Sequence, residues 1–267
     1  MMFRILMLIV ALCALAPAAP AQVQQLADST FAPAVPDPAF PDRHPKVLFD
    51  EAHHNFHTLD GRYQAFGTLM KADGWELTPN REPLSAENLA GFDVLVIANA
   101  LGAAAAGEAD SSADPSAFAA GEIEAIHHWV SEGGALLLIA DHAPFGSAAA
   151  ALGAKFGVDM SQGFSGDSLQ AVGGNATTIE FTLARGTLGD HPVMSGRNTT
   201  ERINRIVAFT GQSLRGPANS TPLMILSDGA IDIPAEAVAS RDQAAMKAEA
   251  VSAKGRSMAS SRWAVGP

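Results

Sequence analysis

Short apolar runs recur along the first half of the chain, and segments with helical periodicity separate them. The clearest runs lie in residues 46–50, 93–99 and 136–140, where most positions are Val, Leu, Ile, Phe or Ala. Unbroken runs of this length are typical of strands buried on both faces of a parallel sheet. Trp75–Leu77 is a shorter candidate strand.

The segments between the runs have the spacing of amphipathic helices. One helix is predicted after the first strand, and two more are predicted over 118–132 and 144–156. Their apolar faces consist of Leu59, Tyr63, Phe66 and Met70 in the first and Ile123, Ile126, Trp129 and Val130 in the second. Alternation of strands and helices predicts one α/β domain over residues 46–256, a doubly wound, mainly parallel sheet with helices on both faces.

The pattern weakens after Gly157 and again at the C-terminus. Strands are predicted over 178–183, 206–210 and 223–226, and a helical pattern covers 234–253. Residues 257–267 contain no run of Val, Ile or Leu that could form a closing strand. We therefore predict an irregular tail, truncated or altered in reading frame near Arg256, with an unpaired sheet edge as the consequence.

The N-terminus has the features of an export signal. Arg4 precedes the apolar stretch 5–15, and Ala19-Pro20-Ala21 offers small residues for cleavage. This pattern predicts removal of residues 1–21 and a periplasmic or secreted protein that begins with a Pro/Ala-rich lead-in over 22–45. The apolar stretch is too short to span a bilayer comfortably.

Composition narrows the function further. The only cysteine, Cys13, lies in the predicted signal, so the mature chain can have neither a disulfide nor a cysteine nucleophile. The formal net charge of −11 disfavours nucleic acid and anionic membranes as partners. A small polar molecule is the expected ligand.

Candidate site residues follow the first predicted strand. Asp50, Glu51, His53, Asn55 and His57 lie within one short segment. His53 and His57 are spaced i, i+4, so on a helix both imidazoles share one face and can bind one metal ion. Either carboxylate can also simply cap the following turn.

The other apolar runs also end in polar residues. Asp141 and His142 follow the run at 136–140, and Asn99 ends the run at 93–99. Because ligands bind beyond the carboxyl ends of parallel strands, we expect one shared site. Asp141 also suits a helix cap. The predicted roles are catalytic for Asp141, His142 and Glu51, ligand-binding for Asp50, Asn55, Asn99 and His191, and metal-binding for His53, His57 and Asp141.

The order of these segments resembles the class I glutamine amidotransferase-like superfamily from Val47 to about Leu226. The resemblance is carried by Val47–His53, Phe92–Asn99 and Glu122–His142, and it is closest to an uncharacterised, exported bacterial branch. His191-Pro192-Val193 with Gly196 resembles the related trehalose-utilisation-type proteins. The resemblance implies a flavodoxin-like fold and favours a carbohydrate-like ligand. Asp141-His142 stands where the family has its cysteine nucleophile, so glutaminase activity is not expected.

Two classes of function remain open from the sequence. The first is a hydrolase-like enzyme, in one version assisted by a divalent metal such as zinc and in the other using an Asp/His pair for acid–base chemistry. The second is a non-catalytic module that binds a sugar or a protein.

Overall fold

The computed structural model describes residues 27–107, 115–259 and 263–266. Its first half contains a four-stranded sheet in which all the pairs are parallel, in the order β2-β1-β3-β4. The strands are β1 Lys46–Asp50, β2 Glu76–Asn80, β3 Val94–Ala98 and β4 Ala135–Ile139. The predicted signal at 1–21 lies outside the described residues, and no helix among those described is long and apolar enough to cross a membrane.

Five helices connect these strands or follow them in the described part of the first half. They are α1 Gln64–Ala72, α2 Ala86–Leu89, α3 Ala103–Ala106, α4 Ala120–Ser131 and α5 Phe145–Lys155. The predictions for α4 and α5 are confirmed to within two residues at each end. The predicted helix after β1 is also present, but it begins at Gln64, so Leu59 and Tyr63 of its predicted face precede it. The segment after β3 contains the short helix α3.

Apolar side chains on β1 alternate between the two faces of the sheet, as the pleat of a strand requires. Val47 and Phe49 contribute to a cluster with Leu59, Tyr63, Phe66 and Met70, the predicted face of the first helical segment. Leu48 points into a second cluster, which contains Leu89 of α2, Ile126 of α4 and Leu152 of α5. Helices therefore cover both faces of the parallel sheet at β1 and β3.

The second half is built from antiparallel pairs, which the sequence analysis did not predict. Its sheets have the orders β13-β10-β5, β12-β11-β6 and β14-β9-β8-β7. The strands are β5 Asp159–Met160, β6 Phe164–Asp167, β7 Ala171–Val172, β8 Asn175–Thr182, β9 Arg205–Phe209, β10 Gln212–Arg215, β11 Ala230–Ile233, β12 Val251–Ser252, β13 Ser257–Ala259 and β14 Trp263–Gly266; the helices are α6 Pro192–Ser195, α7 Ala235–Ala239 and α8 Gln243–Glu249. The protein is thus a mixed α/β fold.

Three predictions for the second half need correction. Residues 223–226 form only isolated bridges, and the helical pattern at 234–253 divides into α7 and α8 before β12. The prediction of an irregular tail is wrong for 257–259 and 263–266, because these segments pair with β10 and β9. Met258 is only 3% exposed and packs in the core of the second half. These C-terminal residues have little strand pattern of their own, and they form strands because β10 and β9 supply hydrogen-bond partners.

Candidate active site at the carboxyl ends of the strands

Asp50, Asn99 and Asp141 lie at the carboxyl ends of β1, β3 and β4, and each is at most 2% exposed. Since the three strands are parallel neighbours, their carboxyl ends meet at one edge of the sheet. Asn99 adopts a positive φ of 49°, which turns the chain sharply beyond β3. Its backbone carbonyl accepts a hydrogen bond from Phe56, which fixes the loop after β1 against β3.

The side chain of Asn99 joins the Asp141 turn to His57. Its Oδ1 accepts the backbone N–H of Asp141 at 2.9 Å, and its Nδ2 lies 3.2 Å from His57 Nε2. Because a backbone N–H can only donate, the atom facing Asp141 must be the amide oxygen. The amide nitrogen then donates to His57, so His57 Nε2 carries no proton. Asn99 therefore positions both His57 and the turn at Asp141. Its ligand-binding role stays a prediction.

Tyr63 is a member of this cluster that the sequence analysis assigned only to a helix face. Its ring stacks on His57 with 4.6 Å between centroids. Burial raises the pKa of Tyr63, and the nearby charge of Asp141 raises it further. The phenol therefore keeps its proton and can act as a hydrogen-bond donor. The i, i+3 and i, i+4 apolar pattern predicted that Tyr63 packs in the core. It did not predict that its phenol lies beside His57 and Asp141.

His142 follows Asp141 and is half-buried. Its Nδ1 lies 2.7 Å from the carbonyl of Ala143, which can only accept, so Nδ1 carries the proton and Nε2 is the basic nitrogen. The ring stacks on Phe164 of β6 with centroids 4.4 Å apart. Asp141 Oδ1 accepts the backbone N–H of His142 at 2.9 Å, which holds the two residues in one tight turn.

A second polar cluster lies beside the first. His53 directs Nδ1 to Asp50 Oδ1 at 2.9 Å and Nε2 to Glu122 Oε1 at 2.9 Å. Burial lowers the pKa of His53, but the hydrogen bonds and charges of Asp50 and Glu122 outweigh it, and the net effect raises that pKa. Because both ring nitrogens face carboxylate oxygens, which accept hydrogen bonds, His53 is held as an imidazolium between Asp50 and Glu122.

Glu122 is a site residue that sequence reasoning missed, because α4 brings it to His53 from far along the chain. Its Oε1 also accepts the backbone N–H of Leu84 at 2.7 Å, and its Oε2 accepts that of Ala119 at 2.8 Å. A glutamate in the first turn of a helix was the available signal, but it predicts only capping. Here the same carboxylate also compensates a buried cation.

Two of the predicted residues serve the turn after β1. Glu51 accepts from the backbone of Leu59 at 2.9 Å and from Arg81 at 3.3 Å. Asn55 accepts the backbone N–H of His53 at 2.9 Å and donates to Asp50 at 2.9 Å. These contacts give Glu51 and Asn55 structural partners, and for Glu51 they agree with the capping interpretation.

The structure does not bring His191 to the strand ends. Its Nδ1 accepts the backbone N–H of Val193 at 3.2 Å, so it caps α6 in the second half. It lines a small cavity of about 40 Å³ together with Leu183, Gly189, Asp190, Met194, Ser195 and Arg202.

The predicted metal ligands are not arranged around one point. His53 uses both ring nitrogens on carboxylates, and His57 directs Nε2 to Asn99. In the part of the chain that the structure describes, no group of three or more His, Cys, Asp or Glu side chains could hold a metal ion. The predicted zinc site therefore stays a prediction, and no step below uses a metal.

Comparisons with known proteins give a likeness in fold alone. No family model matches the sequence, and no curated protein matches it. A solved structure entitled "mmIFT52 N-terminal domain" is similar with a TM-score of 0.52 and 11% sequence identity, covering 69% of this chain and 74% of that chain. At this identity the likeness supports a mixed α/β fold and carries no function.

Proposed function

We propose that this chain is an exported, hydrolase-like protein of the glutamine amidotransferase-like type, with Asp141 and His142 performing acid–base chemistry on a small, polar, carbohydrate-like substrate. The observation that carries the proposal is the hydrogen bond from His142 Nδ1 to the Ala143 carbonyl at 2.7 Å. It fixes the imidazole in the tautomer that a general base requires, with a basic Nε2 on a half-buried ring.

The proposed chemistry needs only residues of this chain. His142 Nε2 takes a proton from a water molecule while the water oxygen forms a bond to the substrate's electrophilic carbon. The imidazolium then returns the proton to the leaving group as the substrate bond breaks. We propose that the Asp141 carboxylate, which accepts the backbone N–H of His142, also stabilises the positive charge on the imidazolium.

The topology supports the placement of this site. The strand order β2-β1-β3-β4 agrees with the first four strands of a flavodoxin-like, doubly wound sheet. In such sheets ligands bind beyond the carboxyl ends of the strands, where Asp141 and His142 lie. The absence of cysteine after residue 13 argues against glutaminase chemistry.

A non-catalytic binding module is the second candidate, and the burial of the cluster favours it. Asp50, His57, Asn99 and Asp141 are at most 2% exposed, so a substrate reaches few of their atoms. Phe56 is 40% exposed beside them, with the Arg62 guanidinium 3.8 Å from its ring centroid. An exposed aromatic ring next to a polar cluster suits the stacking of a sugar.

Hydrolysis of a panel of chromogenic glycosides and esters, with wild type and His142→Gln, distinguishes the two candidates. We expect kcat/KM to fall by about 10²–10⁴-fold in His142→Gln, the usual contribution of a general base. His128→Gln is the matched control, because that imidazole is 68% exposed and lies on α4. Sugar-dependent thermal stabilisation without turnover would favour the binding module, and equal turnover in both variants would refute the proposed base.

Elemental analysis of the folded protein tests the metal-assisted version separately. Stoichiometric zinc in the wild type and its loss in Asp141→Ala would support the metal-assisted version. The side chains around the zinc would then have to adopt an arrangement different from the one described above. Activity that persists after chelation would support the metal-free version.

A further inference from the structure

Arg62 places a positive charge beside the candidate site, in the connection between β1 and α1. Three arginines are half-buried in the described part of the chain, and two of them have a carboxylate partner. Arg205 reaches Glu180 at 2.8 Å. Arg256 reaches Asp159 at 2.8 Å. Arg62 has no ion pair with any described residue, although a partly desolvated cation is stabilised by an anionic partner.

The guanidinium of Arg62 is nevertheless held in one place. Its Cζ lies 3.8 Å from the centroid of the Phe56 ring, and its Nη1 donates to the Phe56 carbonyl at 3.2 Å. Its Nε is buried and has no hydrogen-bond partner among the described residues. Since a guanidinium has several N–H donors in a fixed fork, most of them remain unused here. A cation that is already immobilised loses little side-chain entropy when a ligand binds.

A row of aromatic rings connects Arg62 to the proposed base, His142. The ring centroid of Phe56 lies 5.5 Å from that of Phe145, and the Phe145 centroid lies 6.4 Å from that of His142. Phe56 is fixed to the strand ends, because its backbone N–H donates to the Asn99 carbonyl at 2.9 Å. It is also 40% exposed, so the row reaches the surface. A substrate that lies along this row has one end at His142 and the other at Arg62.

We propose that Arg62 binds an anionic group of the substrate, so that the substrate is a sugar that carries a carboxylate or a phosphate. This inference rests on the proposed function, because His142 marks the end of the substrate at which the bond is cleaved. The guanidinium fork binds the oxygens of either anion through two parallel N–H groups. The formal net charge of −11 repels anions from the protein as a whole. Binding of an anionic sugar therefore depends on this local cation.

Calorimetric titration with D-galacturonate, D-galactose 6-phosphate and neutral D-galactose tests this contact without requiring turnover. We expect at least one anion to bind the wild type more tightly than D-galactose, and about 10- to 100-fold more weakly to Arg62→Gln, the factor that a charge-assisted hydrogen bond contributes. The anion that binds identifies the group as carboxylate or phosphate. Arg62→Lys keeps the charge without the fork and should bind with intermediate affinity. Arg43→Gln is the matched control, because that arginine is 73% exposed and pairs with Asp93.

The outcomes separate this inference from the proposed function. If neither anion binds the wild type more tightly than D-galactose, or if Arg62→Gln and Arg43→Gln bind the anions equally well, the role of Arg62 is overturned, even where neutral glycosides are hydrolysed in a manner that depends on His142. Anion binding that is lost in Arg62→Gln and kept in His142→Gln supports it. The same binding without turnover of any glycoside refutes the hydrolase and leaves the anion site in place. Circular dichroism of each variant confirms that a loss of binding is not a loss of fold.

Discussion

Replacing Glu122 with alanine should destabilise the protein far more than an equivalent change elsewhere on α4. Glu122 Oε1 lies 2.9 Å from His53 Nε2, and the two side chains are 12% and 8% exposed. Removing the carboxylate leaves His53 with Asp50 as its only carboxylate partner in the described residues. It also removes the acceptor of the Leu84 and Ala119 backbone N–H groups.

The magnitude follows from the burial of these groups. Breaking a buried ion pair by deleting one partner costs about 3–5 kcal/mol. In a chain of this size a loss of 1 kcal/mol lowers the melting temperature by about 2–4 °C. The expected fall is therefore about 6–20 °C. Because Glu122 also raises the pKa of His53, that pKa should fall in the variant.

Urea denaturation measures the free energy of unfolding, and Glu124→Ala is the matched control. Glu124 also lies on α4 and pairs with Lys155 at 2.6 Å, but it is 65% exposed. An exposed pair contributes little because water and salt screen it. A Glu122→Ala variant that loses no more stability than Glu124→Ala would refute the idea of a buried imidazolium. So would a His53 NMR titration with the same pKa in wild type and Glu122→Ala.

Three further predictions concern pH dependence and the C-terminal strands. Burial lowers the pKa of His53, but the hydrogen bonds and charges of two carboxylates outweigh it and raise that pKa in the folded state. The protonated side chain should therefore contribute fully to stability below the unfolded pKa of about 6.5, and this contribution should be lost as the pH rises through the folded pKa. Urea denaturation from pH 6 to 9 should show this loss in the wild type and not in His53→Gln. Burial raises the pKa of Asp167, but hydrogen bonds from Ser227, Gln170 and Leu169 outweigh it and lower that pKa overall. Asp167→Asn should therefore lower the free energy of unfolding at pH 7 and change it little in acid. An equal loss of stability at both pH values would contradict this. Met258→Ala should cost about 2–5 kcal/mol in urea denaturation, as for other buried methionines, whereas a cost near zero would show that β13 is dispensable.

Most elements of the parallel half could be predicted from the sequence, because the patterns that predict them lie within single short segments. β1, β3 and β4 are unbroken apolar runs, and the helices between them have continuous apolar faces, so local periodicity fixes both element types. In the antiparallel half the pattern predicts β8 and β9, but the other strands lack such signals. β6 has the sequence Phe-Ser-Gly-Asp, and β5 and β7 are two residues long. Such strands exist only because partner strands supply their hydrogen bonds.

For the candidate site, the sequence by itself determined which strand ends carry polar residues. Asp50, Asn99 and Asp141 each follow an apolar run, and the parallel order brings them together without further information. Only the tertiary structure decided their partners: Glu122 reaches His53 from α4, Tyr63 stacks on His57, and β6 supplies Phe164 to the ring of His142. It also separated His191 from the strand ends. The physical reason is that periodicity reports which side of its own element a residue faces, whereas the partner of a buried charge depends on how distant elements pack.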